Sequence, residues 1–164
     1  MLPTKYWTEM RASDFRAARM AEVIAVLPVA AVEQHGPHLP VGVDVVIQQG
    51  YLDLVMDRLP ADLPVLVLPI QTVGVSTEHG AFPGGLSLSP ETALAAWREI
   101  GASVARTGCR KLVIVNSHGG NSALVDILAQ DLRARFEMLA VRAAWSRFGA
   151  PDGLFSAQER AHGI

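Results

Sequence analysis

The sequence predicts an α/β fold in which helices cover both faces of a mainly parallel sheet. Apolar runs without polar alternation recur along the chain, as is typical of strands that are buried on both faces. A helical pattern separates each run from the next, so successive strands are joined by helical crossovers and lie parallel. With 164 residues, half of them hydrophobic, the chain has the size of one domain, and we predict a single domain over residues 1–164.

The elements are predicted in the following order. A short helix capped by Ser13 and Asp14 runs to about residue 20 and precedes a first strand within 22–32. The pattern then predicts a helix over 45–59, a strand over 64–70, a helix from Pro90 to about residue 107, a strand over 111–116, a helix over 122–136 and a strand over 138–143. Pro28 offers no ladder donor, which predicts a bulge or an early end to regular pairing in the first strand.

The helix over 45–59 is expected to bury one apolar stripe. Helical spacing assigns to that stripe Val46, Gly50 or Tyr51, Leu54, Val55 and Met56. Pro60 ends the helix.

Composition excludes several classes of function. The 14 basic and 16 acidic residues give a net charge of -2 without a basic run, so nothing points to a nucleic-acid partner. The longest apolar run contains Pro28 and is far too short to span a membrane, and the N-terminus does not have the pattern of an export signal. Cys109 is the single cysteine and suits a small core position. We therefore expect a soluble, cytoplasmic protein.

Candidate metal ligands follow two of the predicted strands. Glu33, His35 and Asp44 lie after the first strand, and His118 lies directly after the third. Because functional groups gather outside the carboxyl ends of parallel strands, these side chains are expected to meet. Two carboxylates and two imidazoles can bind a Zn-like, Mn-like or Fe-like ion, or two ions if one carboxylate bridges.

The long loop over 71–92 carries a second pair, Glu78 and His79. His79 is interpreted either as a group near the metal or substrate or as an anchor of the loop, and both interpretations stay open. Phosphate binding at Gly119 and Gly120 is a weaker alternative, because neither a following lysine nor a GxGxxG pattern is present.

Three motifs resemble the creatininase family of metal-dependent amidohydrolases. They are LPVAAVEQHGPHLPVGVD, STEHGAFPGGLSLSPET and VIVNSHGGN, in that order along the chain. The resemblance implies a three-layer α/β/α sandwich, a homo-oligomer that is often a hexamer, and a centre of one or two Zn, Mn or Fe ions. It implies that Glu33, His35, Asp44 and His118 are metal ligands, with Asp44 as the bridge, and Asn116 and Asn121 match family positions near the site. We predict that His79 and Asn121 bind the substrate.

The implied activity is hydrolysis of a non-peptide C–N bond, in an amide, cyclic amide or formamide, by a metal-activated water. Creatinine-hydrolysing members have a glutamate where this chain has Gly120, so a small-molecule amide other than creatinine is expected. Family chains continue beyond this length into a segment that supplies a last carboxylate, so we expect a chain truncated at its C-terminus. The alternative is a catalytically incompetent metal-binding scaffold or subunit of an oligomer.

Overall fold

Four strands form an all-parallel sheet in the order β2-β1-β3-β4. The computed structural model describes residues 2–149, 152–154, 156 and 158. The strands are β1 (Ile24–Val29), β2 (Val65–Val67), β3 (Lys111–Asn116) and β4 (Leu139–Ala144). The helices are α1 (Ala12–Ala17), α2 (Val43–Arg58), α3 (Pro90–Arg106) and α4 (Ser122–Phe136). The expected truncation concerns the chain end, where residues 159–164 lie outside the described residues, and it stays a prediction.

Helices cover both faces of the sheet. Side chains of α3 and α4, among them Trp97, Leu128 and Leu132, pack with Leu27 and Ile114 in one apolar core. On the other face, side chains of α2 pack against β-branched residues of the strands; this second core includes Leu52, Met56, Val65, Val67 and Val115. The predicted α/β class with a parallel sheet between two helical layers is confirmed.

Pro28 lies inside β1 and pairs with Val115 of β3. The Pro28 carbonyl accepts a hydrogen bond from the Gln71 N–H, on the β2 side of the strand. The nitrogen and the carbonyl of one strand residue point to the same side, so the nitrogen that lacks a proton also faces β2. Regular pairing with β2 ends at Val26 and Val67, and a single bridge at Val29 and Gln71 follows. The early end to regular pairing that Pro28 predicts therefore occurs on one side of the strand.

Two helices begin elsewhere than predicted. Helix α1 begins at Ala12, so Asp14 lies in its third position and accepts the Arg11 N–H at 2.8 Å instead of capping from outside. Helix α2 begins at Val43, and Asp44 is in its first turn. Helix α3 has a side-chain cap, since Ser89 Oγ accepts the Thr92 N–H at 3.2 Å.

The predicted buried stripe of α2 is correct at Met56 and wrong at three other positions. Asp44, Gln48, Leu52 and Met56 are buried on one face of this helix. Three residues assigned to the stripe, Val46, Tyr51 and Leu54, are exposed. Two of the four buried residues are polar, because the helix begins at a polar site. A prediction from the spacing of hydrophobic residues therefore misses the buried face and assigns burial to a neighbouring face of the helix.

Two leucines in α2 test this assignment. Leu52 is 4% exposed and Leu54 is 52% exposed. We expect Leu52→Ala to lower the free energy of unfolding by about 2–5 kcal/mol, because it leaves a cavity in the core. Leu54→Ala, the matched control, is expected to change it by no more than about 0.5 kcal/mol. Urea denaturation measures both, and equal effects would contradict the observed helix orientation.

Candidate metal centre

The candidate centre lies at the carboxyl ends of β1 and β3. These two central strands are neighbours. From β1 the chain continues to β2 at one edge of the sheet, and from β3 it continues to β4 at the other edge. A parallel sheet has a crevice at such a switch point. The cleft there has a volume of about 470 Å³, and its lining includes Glu33, His35, Asp44, His79 and His118.

The four predicted ligands lie close together, with the two carboxylates between the two imidazoles. The His118 Nδ1 atom lies 3.0 Å from Glu33 Oε1 and 3.2 Å from Asp44 Oδ2. The His35 Nε2 atom lies 3.5 Å from Asp44 Oδ1 and 4.0 Å from Glu33 Oε1. Glu33, Asp44 and His118 are buried, and His35 is half-buried. Side chains from two loops and from the first turn of α2 thus meet within one site.

Backbone carbonyls fix the orientation of both imidazoles. His35 Nδ1 lies 3.2 Å from the Glu33 carbonyl, and His118 Nε2 lies 2.9 Å from the Val75 carbonyl. A carbonyl only accepts hydrogen bonds, so each of these nitrogens carries a proton. In a neutral ring the other nitrogen, His35 Nε2 or His118 Nδ1, then presents a lone pair to the carboxylates. This is the arrangement that a metal-binding histidine requires.

The electrostatics of the cluster also favour a cation. Burial lowers the pKa of His118, but the close contact with Asp44 and the charges of Glu33 and Asp44 outweigh it and raise that pKa above its ordinary value of 6.5. Within the described part of the chain, Asp44 Oδ2 has no correctly aligned hydrogen-bond donor although it is buried. A buried carboxylate oxygen without a partner is costly, and coordination to a metal ion satisfies it.

Two polar side chains outside the predicted ligand set, Ser76 and Asn116, hold the ligands in place. Ser76 donates its hydroxyl proton to Glu33 Oε2. Asn116 holds the backbone of His118 on both sides, since its Oδ1 accepts the His118 N–H at 3.1 Å and its Nδ2 donates to the His118 carbonyl at 2.6 Å. In the sequence, Ser76 lies three positions before His79 and Asn116 lies two positions before His118. This closeness to predicted site residues is the feature that could have identified them.

His79 faces the cluster from the loop over 71–92. Its Nε2 lies 3.8 Å from Glu33 Oε2, and its Nδ1 lies 3.0 Å from Gln34 Nε2. Gln34 Oε1 accepts the Gly36 N–H, which identifies the other amide atom as a donor. Gln34 therefore donates to Nδ1, and neutral His79 carries its proton on Nε2, toward the cleft. The predicted role of His79 in substrate binding stays a prediction.

Asn121 lies below the site and is fully buried. Its Oδ1 accepts the Val75 N–H at 2.9 Å, and its Nδ2 donates to the Ala30 carbonyl at 3.0 Å. It thereby joins the segments that follow β1, β2 and β3. The predicted substrate contact of Asn121 stays a prediction, and its hydrogen bonds favour a structural role.

A second cavity, of about 540 Å³, lies at the opposite edge of the sheet, where Val23 and Pro64 precede β1 and β2. Its charged residues include Arg19 and Glu22, which form an exposed ion pair with each other. It lacks the convergence of buried carboxylates and imidazoles seen in the first cleft, so we assign the chemistry to the first cleft.

Among the described residues, none of the helices is long and apolar enough to cross a membrane.

The chain is similar to proteins with named activities. A mycofactocin precursor peptide peptidase of Mycobacterium tuberculosis (strain CDC 1551 / Oshkosh) is 41% identical over 102 residues, which cover 58% of this chain and 40% of that protein. A creatinine amidohydrolase of Pseudomonas putida is 33% identical over 127 residues, which cover 71% of this chain and 47% of that protein. The matched regions thus span half or less of these relatives.

Solved creatininases have the same fold. The structure of a protein described as "Creatininase Mn" superposes with a TM-score of 0.77 and 26% identity, covering 98% of this chain and 68% of that one. A creatininase mutant of Zn-Zn type superposes with a TM-score of 0.75 over the same shares of the two chains, also at 26% identity. The model of the family named Creatininase, described as creatinine amidohydrolase, matches residues 8–164. The chain therefore belongs to the Creatininase family.

Proposed function

We propose that this protein is a metal-dependent hydrolase of a C–N bond in a small-molecule amide, cyclic amide or formamide. The observation that carries the proposal is the pair of imidazoles, His35 and His118, whose carbonyl-bound nitrogens turn the other nitrogen toward two buried carboxylates. Membership of a family named for an amidohydrolase supports the same reaction class.

The donor set fits a divalent ion. Glu33, His35 and Asp44 offer ligand atoms that all lie within 4.8 Å of one another, and His118 Nδ1 lies beside both carboxylates. Mixed nitrogen and oxygen donors suit Zn, Mn or Fe. The solved relatives described as Mn and Zn-Zn types support such ions here, with one or two per chain and Asp44 as the bridge in the second case. An ion bound there would supply Lewis acidity and lower the pKa of water.

The chain itself supplies orientation and a proton donor. Glu33 Oε1 lies toward His118, and the Ser76 hydroxyl holds the other oxygen, so the carboxylate is fixed. We propose that His79 binds substrate through its Nε2–H, because Gln34 fixes this tautomer and the ring is partly exposed at the cleft. A histidine in that position can also give a proton to a departing nitrogen.

The volume of the cleft, about 470 Å³, is in the range of small-molecule sites. Gly120, where creatinine-hydrolysing members have a glutamate, argues against creatinine itself. A second candidate substrate is a precursor peptide, and the 41% identity to the Mycobacterium tuberculosis peptidase supports it. The homo-oligomer, the hexamer in particular, and the cytoplasmic location stay predictions, as does the catalytically incompetent scaffold.

Substrate class is tested with the full chain after reconstitution with Zn²⁺, Mn²⁺ or Fe²⁺. We expect one of these ions to support hydrolysis of a formamide or cyclic amide, little turnover of creatinine, and loss of activity after treatment with a chelator. Chromatographic detection of the carboxylate product from formamides, cyclic amides, creatinine and short peptides distinguishes the substrate classes.

Three other outcomes of this assay have defined meanings. Hydrolysis of the peptides alone would favour the peptidase. Saturable metal binding without turnover of any of these substrates would favour the scaffold. Turnover that persists unchanged in the chelator-treated protein would contradict metal dependence.

A further inference from the structure

Glu78 contacts His118 on the side that faces away from the other carboxylates. Glu78 Oε1 lies 3.4 Å from His118 Nε2, the nitrogen that donates its proton to the Val75 carbonyl at 2.9 Å. The opposite nitrogen, Nδ1, lies 3.0 Å from Glu33 Oε1. The imidazole is therefore placed between the carboxylate cluster on one side and a carbonyl and a carboxylate on the other.

Gly120 provides the space for this contact. A Cβ atom at position 120 would lie 2.5 Å from each of three atoms, Glu78 Oε1, His118 Nε2 and the Val75 carbonyl oxygen. The last is a backbone atom and cannot swing aside as the end of a side chain can. A side chain at position 120 would thus separate Glu78 from His118, whereas glycine lets the carboxylate reach the ring.

We propose that Glu78 is a positioning residue of the metal centre, which acts through His118. Its negative charge favours the proton on Nε2, so the lone pair of Nδ1 stays directed at Glu33 and Asp44 and becomes a stronger metal donor. Partners behind a metal-binding histidine commonly change metal affinity by about 10–100-fold. The Glu78 side chain is 45% exposed, and the Val75 carbonyl accepts a hydrogen bond from the same nitrogen. We therefore expect Glu78 to change metal affinity by about tenfold, the lower end of this range. This inference rests on the proposed function.

A direct bond from Glu78 to an ion is the competing assignment. Glu33, Glu78 and His118 each offer a ligand atom within 4.8 Å of the others. However, the His118 nitrogen nearest Glu78 is occupied by the proton donated to Val75, so that nitrogen has no lone pair for an ion. The hydrogen bond favours positioning over coordination.

Cobalt titration of the metal-free full chain tests the inference. Co²⁺ binding is followed by its visible absorption in competition with a chelator. Glu78→Gln keeps the size of the side chain and removes its charge. We expect about tenfold weaker binding, an unchanged number of ions per chain and a shifted absorption band. Glu99→Gln, which removes the same charge from an exposed position of α3, should titrate as the wild type.

Two results would overturn the positioning role. An unaltered affinity and spectrum in Glu78→Gln would show that the charge does not act on His118. The loss of one ion per chain, with the affinity for any remaining ion unchanged, would identify Glu78 as a direct ligand. A wild-type chain that binds no Co²⁺ would instead overturn the proposed function and this inference together, so the two failures are distinguishable.

Discussion

Replacing His118 by alanine is expected to abolish metal binding and hydrolysis. The substitution removes Nδ1, which lies 3.0 Å from Glu33 and 3.2 Å from Asp44, and leaves His35 as the one imidazole of the predicted ligand set. Because partners behind a ligand already change affinity by about 10–100-fold, we expect the loss of this ligand to exceed about 100-fold. Calorimetric titration of the metal-free protein with Zn²⁺ measures the change.

His38→Ala is the matched control for His118→Ala. His38 lies, like His35, in the loop between β1 and α2, but it is exposed. It is not among the residues that line the cleft. We expect wild-type affinity and activity from this variant. If both alanine variants lost binding equally, or if His118→Ala kept it, His118 would not be a ligand.

Asn121→Ala is expected to lower the free energy of unfolding substantially. The Val75 N–H and the Ala30 carbonyl both lose their partner in a place that water does not reach. A buried polar group without a partner costs about 1–3 kcal/mol, so we expect the free energy of unfolding to fall by about 2–6 kcal/mol. Thermal or urea denaturation measures this loss.

The control for Asn121→Ala is Gln130→Ala, at an exposed position of α4. It should change stability by no more than about 0.5 kcal/mol. If Asn121→Ala left stability unchanged and raised KM instead, Asn121 would act on the substrate, as predicted from the sequence, and the structural role would be wrong.

Elements with strong local signals were predictable to the residue. Strand β3 begins at Lys111 and ends at Asn116 as predicted, because a β-branched run there is bounded by polar residues. Helix α4 also keeps its predicted limits, Ser122 and Phe136. In these segments the local preference and the packing against the sheet agree.

Helix α2 shows where local pattern was insufficient. Its buried face carries Asp44 and Gln48, because the helix begins inside the polar site and Gln48 Oε1 accepts the Trp145 Nε1–H at 3.0 Å. Burial of these polar residues depends on groups far away in sequence. Periodicity in one segment cannot reveal it.

The ligands were predictable from the strand ends, but their supports were not. Glu33 lies four positions after the end of β1 and His118 two positions after the end of β3, and the topology brings such positions together. However, the order of the strands in the sheet depends on pairing between distant segments and cannot be predicted from any one of them. Likewise, Ser76 and Glu78 reach the site because the loop over 71–92 folds back onto it, and no periodic signal marks that path.

The identity of the ligand atoms is the central claim, and anomalous X-ray diffraction from crystals grown with Zn²⁺ tests it most directly. We predict anomalous density in this cleft at about 2.0–2.1 Å from His118 Nδ1 and from His35 Nε2, as one peak or as two peaks that share Asp44, with carboxylate oxygens of Glu33 and Asp44 at about 2.0–2.2 Å. A map without a peak in this cleft, or an ion bound through His118 Nε2, would contradict the account.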